Sequence, residues 1–224
     1  MSFQTPRSIQ EMLTAIHKRE YLMPAIQREF VWGADQITKL VDSLMRGYPV
    51  GSFLLWDVKP ETAQSYTFYE FLTNYHERDN PYADKATVPS GSGTTAVLDG
   101  QQRLTSLNIG LRGTYAYKRK HGWINNPDNY PARKLYLNVL GEAEENEAGL
   151  RYDFRFLTEG QLAAADDEES RYWFPVHRVF EAEQAFDLFP AIAAAGLGNT
   201  ESAVSLLGQL WQSIHAVSGV HFYE

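Results

Sequence analysis

Val97-Leu98-Asp99-Gly100-Gln101-Gln102-Arg103-Leu104-Thr105-Ser106-Leu107 is the stretch on which the reading of this chain turns. Just before it, residues 94–98 are short, β-branched and apolar, the pattern of a buried strand. After Gly100 the apolar positions become Leu104, Leu107 and Leu111, which is helical spacing. Strand, tight turn and helix start therefore fall within a few residues. At such a junction the first N–H groups of the helix lack partners and the helix dipole is positive. Gly100 lets the backbone approach a ligand closely, and Arg103 adds a cation with forked donors. The set suits an anion, above all a phosphate. The same residues also fit an ordinary strand-to-helix turn with a polar first turn, since so short a motif matches by chance.

Outward toward the N-terminus, Tyr48-Pro49-Val50-Gly51-Ser52 turns into a strand, Phe53-Leu54-Leu55-Trp56. Gly47 and Gly51 bracket this turn, but no Gly-Lys-[Ser/Thr] follows, which excludes a Walker-type loop. A preceding amphipathic helix is marked by Ile37, Leu40, Val41, Leu44 and Met45, with Asp35 as its expected cap and Gly47 past its end. Pro24-Ala25-Ile26-Gln27-Arg28-Glu29-Phe30-Val31-Trp32 sets two forked polar groups among apolar neighbours. Arg28 reads there either as a second phosphate clamp or as a surface arginine beside an aromatic cluster. Gln27 reads as a hydrogen-bonding partner for phosphate or water. Ser8-Ile9-Gln10-Glu11 is a capping box that opens a first helix with Ile9, Met12, Leu13 and Ile16 on its apolar face.

Toward the C-terminus, residues 66–71 fit a strand and residues 79–95 a long surface loop. Leu135, Leu137 and Val139 alternate with Tyr136 and Asn138 as in a half-buried strand, and Tyr152, Phe154 and Phe156 mark a strand able to pair with it. Lys118, Arg119 and Lys120 lie among Tyr115, Tyr117 and Trp123, a mixture found in nucleic-acid binders and, more commonly, in solvated loops. The acidic runs at 142–147 and 166–169 lack ligand periodicity and read as solvated loops. Beyond an apolar anchor at 172–176 the chain is helical, with Val204, Leu207, Leu210, Trp211 and Ile214 on one face. It then enters a strand at 219–223, which reads as a truncated piece of a longer polypeptide.

The 224 residues carry a formal net charge of −8, which argues against a surface that grips nucleic acid everywhere. There is no cysteine, so disulfides and thiolate metal sites are excluded. The six histidines have no paired zinc spacing, and neither a nucleophile elbow nor a complete His-Asn-His nuclease motif is present. No apolar run approaches a membrane span, and the first ten residues lack the form of a signal peptide, so a cytoplasmic protein is expected.

Three pieces stand in one order: Pro24-x-x-Gln27-Arg28-x-Phe30-x-Trp32, Pro49-Val50-Gly51-Ser52, and Leu98-Asp99-Gly100-Gln101-Gln102-Arg103-Leu104-Thr105. Together they resemble the N-terminal domain of the GmrSD family of modification-dependent (type IV) restriction systems. The likeness covers residues 21–111, with a weaker downstream pattern over 135–224. It implies an α+β fold similar to the ParB/sulfiredoxin nucleotide-binding fold over residues 1–140, then a strand and a helical segment over 141–224. It also implies binding and hydrolysis of a nucleoside triphosphate (GTP, ATP or CTP) with Mg²⁺. The nucleotide cycle would regulate an HNH-type nuclease domain or subunit that cuts modified DNA, and a homodimer is compatible with this.

Carried over by matching position, Gln27, Arg28, Gly51, Ser52 and Gly100 are nucleotide-binding residues, and Thr105 meets a phosphate oxygen. Gln101, Gln102 and Arg103 hold phosphates and act in catalysis, with Asp99 positioning the metal or the attacking water. The rival on the same residues is a non-enzymatic DNA-binding module that senses modified bases.

Overall fold

The computed structural model describes residues 6–25, 29–143, 149–165, 171–197, 200–216 and 220–223. The architecture is α+β, with two mixed sheets and helices that share one large apolar cluster. Helix α1 (Ile9–His17) opens on the expected capping box: Ser8 Oγ accepts from the Glu11 N–H at 3.1 Å, and Glu11 Oε2 accepts from the Ser8 N–H at 2.7 Å. Strand β1 (Tyr21–Pro24) is buried throughout. Helix α2 (Ala34–Met45) buries Ile37, Val41, Leu44 and Met45, but its N-cap is Gly33 and not Asp35. Gln36 Oε1 accepts from the Gly33 N–H at 3.0 Å, which satisfies an orphan donor one residue pair earlier than expected.

Strand β2 (Gly51–Val58), helix α3 (Pro60–Ala63) and short strands β3 (Phe68–Tyr69), β4 (Asn74–His76) and β5 (Lys85–Ala86) lead to β6 (Thr94–Asp99) and helix α4 (Gln101–Arg112). The strand expected over 66–71 shrinks to β3, and Phe71 and Leu72 beyond it are both buried. The rest follows as β7 (Thr114–Ala116), β8 (Ala132–Glu142), β9 (Tyr152–Leu157), α5 (Glu159–Ala165), β10 (Trp173–Pro175), α6 (His177–Glu181), α7 (Phe189–Ala194), α8 (Thr200–His215) and β11 (Val220–Tyr223). Most of the two acidic runs lies outside the described residues.

One sheet has the order β11-β2-β6-β1-β3-β5, and the other β10-β8-β7-β4 with β9 on β8. Strands β8 and β9 pair, as the alternating patterns suggested, and the structure makes the pairing antiparallel. Strand β8 is not half-buried, however: Tyr136 and Asn138 are as enclosed as Leu135, Leu137 and Val139. Asn138 is accommodated because its Oδ1 accepts from the N–H groups of Leu140 and Tyr172 at 3.1 and 3.2 Å.

Helix α4 is the centre of the core. Residues 104–111 are all buried, so the Leu104, Leu107 and Leu111 stripe understates how much of the helix is covered. Of its buried polar members Asn108 is paired inside: its Nδ2 donates to Leu72 O and to Thr73 Oγ1, each at 3.0 Å, and its Oδ1 accepts from Arg112 Nη1 at 3.4 Å. A helix held on all sides fixes the direction in which its amino end points.

Candidate functional site

Strands β1 and β6 are parallel neighbours, with Tyr21 opposite Thr95 and Leu22 opposite Ala96. Their carboxyl ends therefore lie on one side of the sheet, where open sheets place ligands. Strand β2 runs antiparallel to β6, so its first residues come to that same side. The Pro24, Gly51-Ser52 and Asp99-Gly100 pieces, scattered over three stretches of sequence, thus converge. Gln27 and Arg28 lie outside the described residues.

The β2–β6 pairing slips between Leu54 and Leu55: Leu54 pairs with Asp99 and Leu55 with Val97, which leaves Leu98 without a register partner. This is a bulge, and it bends the strand just where the chain must turn. Leu98, expected inside a buried strand, is instead 43% exposed and lines a cleft. Gly100 then adopts φ +88°, left-handed backbone that favours glycine, and α4 begins at the next residue. No described residue accepts from the backbone N–H groups of Gln101, Gln102 or Arg103; the first helical bond is Leu104 N–H to Gly100 O at 3.0 Å. These groups open on a cleft of about 540 Å³ lined by Trp32, Leu98, Asp99, Gly100, Gln101, Gln102 and Arg103.

Arg103 does more than face this cleft. Its Nη1 donates to Val50 O at 2.6 Å and its Nη2 to Ser52 O at 2.8 Å, while Asp99 Oδ2 lies 3.5 Å from Nη2. The guanidinium also lies over the Phe53 ring, 4.8 Å from its centroid. Gly51, at φ +94°, sits where a Cβ would overlap Arg103 Nη1. Arg103 is thus a staple between the start of β2 and the start of α4 that uses part of its donor fork on backbone.

The two glutamines divide. Gln102 Nε2 donates to Glu29 O at 3.0 Å and its Oε1 accepts from the Val31 N–H at 3.1 Å, so the carboxamide docks residues 29–31 on α4. Gln101 Nε2 donates to Val97 O at 2.6 Å, and among the described residues its Oε1 has no partner. Trp32 is held at the cleft because Tyr115 Oη donates to its carbonyl at 3.1 Å. Burial, reinforced by Tyr75, pushes the Tyr115 hydroxyl far above the ordinary tyrosine range, so it stays a donor.

Thr105 is not in this cleft. It is 3% exposed and lines a second cavity of about 320 Å³, walled by Met23, Phe30, Tyr69, Leu72 and Tyr82, with Glu29 and Gln102 at its polar side. Gln102 borders both spaces. No sequence signal marks Tyr69 or Tyr82, because neither belongs to a motif or shares a period with Phe30.

Carboxylates are sparse. Asp99 is the carboxylate of the cleft, its side chain 72% exposed, and among the described residues no group of three or more His, Asp or Glu stands close enough to hold an ion alone. One carboxylate plus ligand oxygens and water still suits Mg²⁺. The basic residues of the loop after β7 are partly engaged elsewhere: Lys118 Nζ donates to Gly122 O at 3.2 Å.

The family model of the GmrSD restriction endonuclease, N-terminal domain, matches residues 9–197, most of the chain. The chain belongs to that family. This GmrSD N-terminal domain is also 32% identical over 101 residues to an uncharacterized protein of Methanocaldococcus jannaschii. The matched stretch is 45% of this chain and 16% of that protein, so the chain spans a small part of its relative's length. Family membership makes the GmrSD chain a component of a restriction system. Among its described residues no helix is long and apolar enough to cross a membrane.

Proposed function

We propose that this domain binds and hydrolyses a nucleoside triphosphate with Mg²⁺, on a ParB/sulfiredoxin-like framework. In this reading the nucleotide cycle regulates an HNH-type nuclease domain or subunit that cuts modified DNA. The observation that carries it is the amino end of α4: three N–H groups without described partners, beside a left-handed Gly100, facing an open cleft.

The roles divide by what each side chain has left to give. The N–H groups of residues 101–103 and the helix dipole take a phosphate, aided by the charge of Arg103. Gln27 and Arg28 complete the phosphate contacts, and Gly51 and Ser52 form the wall that Arg103 secures. Gln101, with its carboxamide oxygen unpartnered among the described residues, orients the attacking water, while Gln102 holds the neighbouring segment in place. Asp99 is the protein ligand for Mg²⁺, which when bound neutralises charge on the transferred phosphoryl group.

The test is a thermal-shift screen of ATP, GTP, CTP and UTP with Mg²⁺. Nucleotide at a hundred times its Kd stabilises by about 2.7 kcal/mol, a rise of several degrees for a domain this size. No rise at millimolar concentration with any of the four overturns the proposal. Salt-dependent retention of duplex DNA without nucleotide would favour the DNA-sensing module, against which the net charge of −8 speaks.

A further inference from the structure

We infer that the 320 Å³ cavity beside the cleft seats the nucleobase of the nucleotide whose phosphates meet the amino end of α4. This rests on the nucleotide reading above and adds the second half of the ligand. Thr105 carries the argument. It is 3% exposed and lines this cavity, yet no described residue gives a hydrogen bond to its hydroxyl or takes one from it. Its oxygen is not sealed by protein, so it opens on the cavity, where the polar edge of a ligand can bond it in place of water.

The walls fit a flat heterocycle. Phe30, Tyr69 and Tyr82 offer aromatic faces, and Met23 and Leu72 add apolar surface. Stacking on such faces accepts any base, while a few polar groups fix its orientation. Phe30 is steadied from behind by Tyr75, whose ring meets it edge-on at 5.5 Å.

The two spaces also lie side by side, as one ligand requires. Gln102 lines both, and Thr105 stands one turn further along the same face of α4, about 4.5 Å along its axis. Gln102 is then a positioning residue: by docking Glu29 O and the Val31 N–H it sets the wall that the base would pack against. The resemblance put Thr105 on a phosphate oxygen, but an apolar, aromatic cavity is a poor place for a phosphate. Its hydroxyl suits the polar edge of a base.

The test compares each nucleoside triphosphate with inorganic tripolyphosphate, both with Mg²⁺, by calorimetric titration of the full chain and of Thr105→Val. Valine keeps the shape and unpairs nothing in the protein, so the ligand-free Tm should hold. The expected result is that the best nucleotide binds at least about tenfold tighter than tripolyphosphate, and that Thr105→Val loses about tenfold for nucleotide and nothing for tripolyphosphate. Tyr82→Ala, at a side chain 59% exposed, should give the same split and serves if the valine variant does not fold.

Equal losses for both ligands would return Thr105 to the phosphates and overturn the base pocket while leaving the nucleotide proposal standing. Loss for neither ligand would remove Thr105 from the ligand altogether and likewise overturn the base pocket alone. If a short single-stranded oligonucleotide needs Thr105 while free nucleotide does not, the cavity takes a base from a strand and the inference fails. If neither nucleotide nor tripolyphosphate binds, the inference falls together with the proposal beneath it.

Discussion

Gly100 lies so close to Phe53 that a Cβ there would overlap the ring at Cδ1 and Cε1. The same ring carries the Arg103 guanidinium, so one aromatic side chain enforces both the tight turn before α4 and the staple after it. The close approach that the sequence suggested for Gly100 therefore has two causes: the backbone sits at φ +88°, and Phe53 occupies the space beside it.

Gly100→Ala should be costly on both counts. A left-handed alanine costs about 1–2 kcal/mol, and forcing a methyl against a fully buried ring about 1–3 kcal/mol more. Thermal unfolding should show a Tm lower by roughly 5–15 °C. An unchanged Tm would mean that the turn is not formed as described.

Arg103→Lys keeps the charge and loses the fork. A lysine ammonium cannot reproduce the planar donors that reach Val50 O and Ser52 O, nor lie flat on Phe53. We expect roughly 1–3 kcal/mol of destabilisation without any ligand present, read by urea unfolding. If Arg103 served phosphate alone, this ligand-free stability would not move.

Asp42, 2% exposed, joins α2 to β9. Its Oδ1 accepts from the N–H groups of Arg151 and Tyr152, both at 2.9 Å. Asp42→Ala strips two backbone donors of their acceptor and should cost roughly 2–4 kcal/mol. Asp42→Asn retains an oxygen for both and should lose clearly less. Equal losses in denaturant titrations would show that the charge, not the acceptor, is what matters.

His177 sets a pH dependence with a defined sign. Burial, helped by Lys134, holds its imidazole below the usual value near 6.5, and its Nδ1 is enclosed without a partner among the described residues. The unfolded chain therefore takes up a proton in a range where the folded one does not. Stability supplied by neutral His177 is full above about pH 6.5 and falls as the pH drops below it. His177→Gln should flatten that acid-side loss relative to the parent, measured as Tm from pH 7.5 to 5. Parallel curves would assign the loss to other groups.

Much of this chain was legible from its residues. The capping box at Ser8, the α2 stripe, the strand–turn–helix junction at Gly100 and the pairing of β8 with β9 all follow from neighbours a few positions apart. Their causes are local backbone preference and the periods of helix and strand. Asp35 as a cap and Tyr136 and Asn138 as outward positions went the other way, for related reasons. Gln36 competes locally for the cap at Gly33, and Asn138 finds its donors at Leu140 and at distant Tyr172.

The motifs of the site were visible as residue types, but not what each had left to offer. That Asp99-Gly100-Gln101-Gln102-Arg103 opens a helix at a strand end is written in the chain, because those residues are adjacent. Long-range folding, in contrast, commits part of Arg103 to Val50 and Ser52, commits Gln102 to Glu29 and Val31, and sets Thr105 in a cavity with aromatic rings from three separate segments. A donor's partners are set by which distant backbone folds against it, and that is fixed by the register of β2, β6 and β1 and by the enclosure of α4.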